Sequence, residues 1–120
     1  MVLLTQAKRL PVALWCSKTG REPVRESLKG LDKDERILMG DAIMTVEFGW
    51  PVGMPVCRAM GQGLFEVRVD FPRHGIARVL FCVHRNRMVL LHGFIKKEQK
   101  TRKPDLDLAK RRKQQLENPR

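Results

Sequence analysis

Hydrophobic and polar positions change their period several times along this chain, and each change predicts an element. In residues 9–16, Leu10, Val12, Leu14 and Cys16 alternate with other side chains. A period of two predicts a strand, and Pro11 puts it at a sheet edge, where a missing backbone donor costs least. Residues 17–21 read as a loop. Pro23, after Glu22, predicts a short helix entered through a residue with no amide proton to lose, and Gly30 ends it. Asp32 and Glu35 have the spacing of a capping box. A longer helix therefore runs from Asp32 to Gly49, with Ile37, Leu38, Ile43, Met44 and Phe48 as apolar surface. Residues 49–55 are loop by their Gly and Pro content.

From Leu64 the period returns to two. Phe65, Val67, Val69 and Phe71 face one way, and Glu66, Arg68 and Asp70 the other. Residues 72–75 are a turn. In the next strand, 76–84, Ala77, Val79, Phe81 and Val83 oppose Arg78, Leu80, Cys82 and His84. Arg85 and Asn86 make a tight turn into a strand over 87–95, where Val89 and Leu91 stand against Leu90 and His92. Turns this short make the three strands an antiparallel meander. A basic helix follows over about 105–116, opened by Pro104 and Asp105, with a frayed tail to residue 120.

The order β-α-α-β-β-β-α predicts an α+β fold: a small antiparallel sheet with helices packed on one face, in a single domain spanning 1–120. Phe65, Val67, Val69, Val79, Phe81 and Leu91 are expected to meet the helices. The other face, with Glu66, Arg68, Arg78 and His92, is expected to stay partly open, so truncating either arginine would leave the core intact.

Charge adds a partner class to this picture. The chain carries 24 Lys and Arg against 13 Asp and Glu, a net charge of +11. Residues 1–60 are net +2 and residues 61–120 net +9, so the excess belongs to the meander and the last helix. An imbalance that folding does not need points to a polyanionic partner, nucleic acid first. No apolar run approaches the roughly 18 residues of a membrane span, and the apolar stretch at 10–15 is too short for a signal-peptide core. Cys16, Cys57 and Cys82 are odd in number and widely spaced, which predicts reduced thiols in a cytoplasmic protein and no zinc site. No Asp/Glu/His spacing suggests another metal, and no motif demands a cofactor.

Arg68 and Arg78 lie on adjacent strands, and Lys96, Lys97 and Lys100 follow the third. Guanidinium groups grip phosphate oxygens through two parallel donors. Such a cluster can bind RNA passively, or stabilise the charge that builds on phosphorus during strand cleavage. Clustered cations also lower a lysine pKa, which would suit one lysine to proton transfer. Glu66 and His92 share this face. Lys100, Arg102, Lys103, Lys110, Arg111, Arg112 and Lys113 are expected to hold RNA. The opposing reading makes Arg68 a partner of Glu66 or Asp70, His92 a buried histidine and the run at 110–113 a solvated face.

Three phrases resemble the RelE/HigB-like toxins, and most closely their phage-derived branch: Gly63-Leu64-Phe65-Glu66-Val67-Arg68, Arg78-Val79-Leu80-Phe81, and Leu90-Leu91-His92-Gly93-Phe94-Ile95-Lys96-Lys97-Glu98-Gln99-Lys100. The resemblance covers about residues 55–115. It implies a RelE-like fold and the toxin of a type II toxin–antitoxin pair. Such toxins cleave messenger RNA, commonly on the ribosome, by attack of the ribose 2′-OH on the adjacent phosphate without a metal. The implied partners are mRNA, the ribosome and a cognate antitoxin, expected to be a small helix-turn-helix protein; no membrane is involved. Arg68 and Arg78 match family positions that hold the phosphate, and Lys96, Lys97 and Lys100 match the basic stretch after the last strand. The chain departs from the family pattern in having no tyrosine. Glu66 stands where some relatives carry lysine, and two roles are open to it: base, or anchor for Arg68. Two other functions stay open: a non-catalytic ParE-like toxin that poisons DNA gyrase, and a passive basic RNA-binding module.

Overall fold

The computed structural model describes residues 7–119. The first six residues and Arg120, which fall in the expected domain, lie outside them. The element order is β1 (Val12–Leu14), α1 (Pro23–Lys29), α2 (Lys33–Gly49), β2 (Cys57–Gly61), β3 (Leu64–Phe71), β4 (Gly75–His84), β5 (Arg87–Lys96) and α3 (Lys103–Glu117). The fold is α+β, with one five-stranded sheet in the order β1-β5-β4-β3-β2. β2 to β5 are antiparallel neighbours, while β1 pairs in parallel with β5. β2 has no counterpart in the sequence pattern, because Arg58 and Ala59 are both exposed and no alternation survives.

The turns follow their residues. Arg85 and Asn86 both take left-handed backbone, with φ of 51° and 61°, which suits the twist of a two-residue hairpin. Gly75 opens β4 at φ +108°, and a Cβ there would lie 2.9 Å from the Lys96 carbonyl oxygen. Glycine thus lets the turn pass close against the end of β5. Asp32 does sit at the N-cap of α2, but its side chain makes no capping bond. Glu35 turns away as well, and its carboxylate lies 2.5 Å from His74 Nδ1 in the β3–β4 turn.

Helices lie on both faces of the sheet, not on one. On the first face, Val24 of α1 and Met39, Ile43 and Val46 of α2 bury Val67, Phe71, Val79, Phe81 and Leu90. These α2 positions are spaced for one helix face, while Ile37, Leu38 and Met44 point to solvent. On the second face, Ala109, Leu106 and Leu116 of α3 cover Leu64, Leu80, Cys82, Val89 and Leu91. The Arg78 side of β4 carries Leu80 and Cys82, and this apolar area has to be covered by something.

Leu91 sits on the α3 side, against expectation, because β5 carries a bulge. Leu80 pairs with His92 and Phe81 with Leu90, so Leu91 is an extra residue opposite the bond between them. One inserted residue puts Leu91 beside His92 on one face and leaves the opposite face to Leu90. Arg112 of α3 donates to the Leu91 carbonyl at 2.7 Å and lies 4.7 Å from the Trp15 ring.

Burial decides thiol chemistry. Cys57 and Cys82 are buried and Cys16 is exposed. Desolvation pushes both buried thiols up to about 11, with Glu66 adding to the shift at Cys57. At pH 8 about 0.1% of each is thiolate. Iodoacetamide at pH 8 should therefore label only Cys16 in the folded chain and all three cysteines in urea, as read by intact mass. Fast labelling of Cys82 in the folded protein would contradict the packing of α3. Among the described residues no helix is long and apolar enough to cross a membrane.

Candidate functional site

Strand register sets out the α3-facing side of the sheet in rows across β3, β4 and β5. Asp70, Ile76 and Lys96 form one row. Arg68, Arg78 and Phe94 form the next, and Glu66, Leu80 and His92 the third. Arg58 of β2 extends the third row. The two arginines are thus direct cross-strand neighbours. Like charges placed so are destabilising unless a third group offsets them.

Glu66 is that group. Its Oε1 lies 3.5 Å from Arg68 Nε and 3.7 Å from Arg78 Nε, and its Oε2 accepts a hydrogen bond from Thr101 Oγ1. The residues between β5 and α3 pass over the row as a strap. Arg78 Nη2 donates to the Glu98 carbonyl and, at 2.8 Å, to the Gln99 carbonyl. Arg68 Nη2 donates to the same Gln99 carbonyl at 3.1 Å and to Gln99 Oε1 at 3.3 Å. Arg78 and Glu66 are 0% exposed, while the Arg68 side chain keeps 12% of its surface in solvent. The expected open face is therefore closed over Arg78. Burial moves the Arg78 guanidinium down from its ordinary pKa, against the opposing pull of Glu66, though an arginine stays charged through such a shift. Among the described residues Glu66 Oε1, Arg78 Nε and Arg78 Nη1 have no well-aligned hydrogen-bond partner. The network thus keeps unspent donor and acceptor capacity beside Arg68.

His92 has a partner that sequence reasoning missed. Its Nε2 is 2.8 Å from Asp105 Oδ1, in the first turn of α3, and its ring stacks on Phe94 with centroids 4.9 Å apart. With Nε2–H donating to the carboxylate, Nδ1 keeps a lone pair. Arg78 reaches the other end of this stack, with Cζ 5.9 Å from the Phe94 centroid. The only signal for Asp105 was its place after Pro104 at a helix start.

The expected RNA-binding residues separate into groups. Lys97 and Lys100 are exposed and Lys96 is half-buried at the end of β5. Arg102 is held by Glu98, Lys103 by Asp107 and Lys113 by Glu117, each four residues away. Arg112 is tied to Trp15 and Leu91. Lys110 and Arg111 carry no ion pair among the described residues. Exposed Arg58 joins the rim of the site and went unnoticed because β2 did. The arginine rows hold no metal-ligand set. Among the described residues, Asp32, Glu35 and His74 bring ligand-type atoms within 4.8 Å of one another, at the start of α2 and the β3–β4 turn.

The family model "Phage derived protein Gp49-like (DUF891)" matches residues 26–114, about three quarters of the chain. A search of curated proteins finds none that matches. The matched stretch starts within α1, takes in both arginine strands and the strap, and ends within α3. The chain belongs to the phage-derived Gp49-like family, a toxin-like family.

Proposed function

We propose that this chain is the toxin of a type II toxin–antitoxin pair and cleaves messenger RNA on the ribosome. The observation that carries the reading is the Arg68–Arg78 pair, joined by Glu66 from the neighbouring row, beneath a lysine-bearing strap. In the reaction the ribose 2′-OH attacks the adjacent phosphorus, the bond to O5′ breaks, and a cyclic phosphate and a free 5′-OH result. Arg68, the partly exposed arginine of the pair, holds the phosphate oxygens and meets the charge that grows on them. Arg78 and Glu66 are positioning residues: they aim Arg68 and pin the strap. Lys96, Lys97, Lys100 and Arg58 draw the RNA backbone to the face. His92, oriented by Asp105, accepts or returns a proton. The toxin is cytoplasmic and is neutralised by a cognate antitoxin, expected to be a small helix-turn-helix protein.

The test is primer extension on mRNA in a translation reaction, with a DNA-gyrase supercoiling assay alongside. Cuts should appear on ribosome-bound message, with magnesium held constant for the ribosome and unaffected by a transition-metal chelator. His92→Ala should lower the cutting rate about 100-fold or more, the usual scale of lost proton transfer. Intact message with folded protein, or blocked supercoiling instead, would transfer the chain to passive binding or gyrase poisoning respectively.

A further inference from the structure

We infer that the open cavity beside Arg68 is a nucleobase subsite selective for guanine. The inference rests on the ribonuclease reading for its substrate class and adds the base that this site would choose. The cavity measures about 390 Å³ and is lined by Met54, Pro55, Val56, Arg68, Asp70 and Gln99. One wall is apolar and presented to solvent, with Met54 60% exposed. That wall is fixed to the floor, because the Arg68 amide donates to the Val56 carbonyl at 3.0 Å. A methionine thioether and a proline ring offer surfaces that an aromatic base can lie against.

The polar side has a specific pattern. Asp70 follows Arg68 by two residues on the same face, about 7 Å along the strand. Among the described residues it carries no ion pair. An unpaired carboxylate beside a phosphate-binding arginine weakens RNA binding by charge alone, so a passive basic surface gains nothing from it. Gln99 Oε1 is already engaged by Arg68, which leaves the amide NH2 as the donor. Beside the Arg68 guanidinium, which is left to the phosphate, the cavity therefore offers two acceptor oxygens and one amide NH2 group as donor.

Guanine carries the complement on its Watson–Crick edge: N1–H and the N2 amino group for Asp70, and O6 for Gln99. Adenine would set the lone pair of N1 against the carboxylate, and cytosine the lone pair of N3. Uracil has one N–H flanked by two oxygens and meets only half of the pattern. A base seated here has its phosphate beside Arg68, on the row already described.

The experiment uses the full chain with 13C-methyl methionine, titrated with GMP, IMP and AMP. The Met54 methyl signal is assigned by Met54→Leu. GMP should move that signal to saturation. IMP, without the N2 amino group, should bind about tenfold more weakly, the scale of one hydrogen bond to a charged group, and AMP more weakly still. Asp70→Asn, at an exposed position, should bring GMP and AMP to similar affinities. A Met54 signal that ignores all three nucleotides, or answers GMP and AMP alike, overturns the subsite. The titration needs no cleavage: selective GMP binding by a chain that cuts no RNA would sink the ribonuclease reading and leave the subsite standing.

Discussion

Arg78→Ala is expected to cost about 3 kcal/mol of folding stability, the low end of the range for removing one partner of a buried ion pair. The guanidinium is fully buried, and its loss leaves Glu66 with Arg68 as its one cationic neighbour among the described residues, frees the Glu98 carbonyl and leaves the Gln99 carbonyl to Arg68 alone. Relief of the Arg68–Arg78 repulsion keeps the cost at that low end. In a chain of this length the melting temperature should fall by about 10 °C. Glu66→Leu combined with Arg78→Met should recover part of the loss, because both buried charges leave together, while Arg68 and the Thr101 hydroxyl give up their Glu66 contacts. Below its melting temperature, Arg78→Ala should also show faster amide exchange across residues 98–101. A melting curve superimposed on that of the parent chain would show that the buried row is not what holds the strap.

Arg68→Ala separates chemistry from folding. Its side chain is partly exposed, and Glu66 keeps both Arg78 and Thr101 when it is gone. Stability should change by about 1 kcal/mol or less. Cleavage of ribosome-bound message should fall about 100-fold or more, the scale of losing one donor to transition-state charge. Arg68→Lys should restore only part of the rate, since an ammonium cannot reproduce the two-pronged contact. The comparison is a melting curve and a single-turnover cleavage rate for each variant. Full cleavage by folded Arg68→Ala would remove the arginine row from the reaction.

The site was legible where it depended on local alternation. In 64–71 and 76–84 the period of two is unbroken, so the face shared by Glu66, Arg68 and Arg78 could be read directly, and the register places the arginines side by side. The α+β class and the positions of the three helices followed from capping residues, Pro placement and period in the same way. Leu91 was misplaced because a bulge shifts alternation by one residue and leaves no mark in composition. β2 was missed because it is an edge strand with its middle in solvent.

What the sequence determined by itself is the content of each face of β3 and β4, because side-chain direction in an unbroken strand is a property of the backbone. Only the tertiary structure decided what covers those faces. α3 crosses to the second side because Leu64, Leu80, Cys82, Val89 and Leu91 leave apolar area there that must be removed from water. Its arrival draws residues 98–101 across the arginines, brings Asp105 to His92 and Arg112 to Leu91, and closes Arg78 while leaving Arg68 at the surface. Those contacts join residues 13 to 31 positions apart, and no local pattern of polar and apolar residues specifies a pairing at such range.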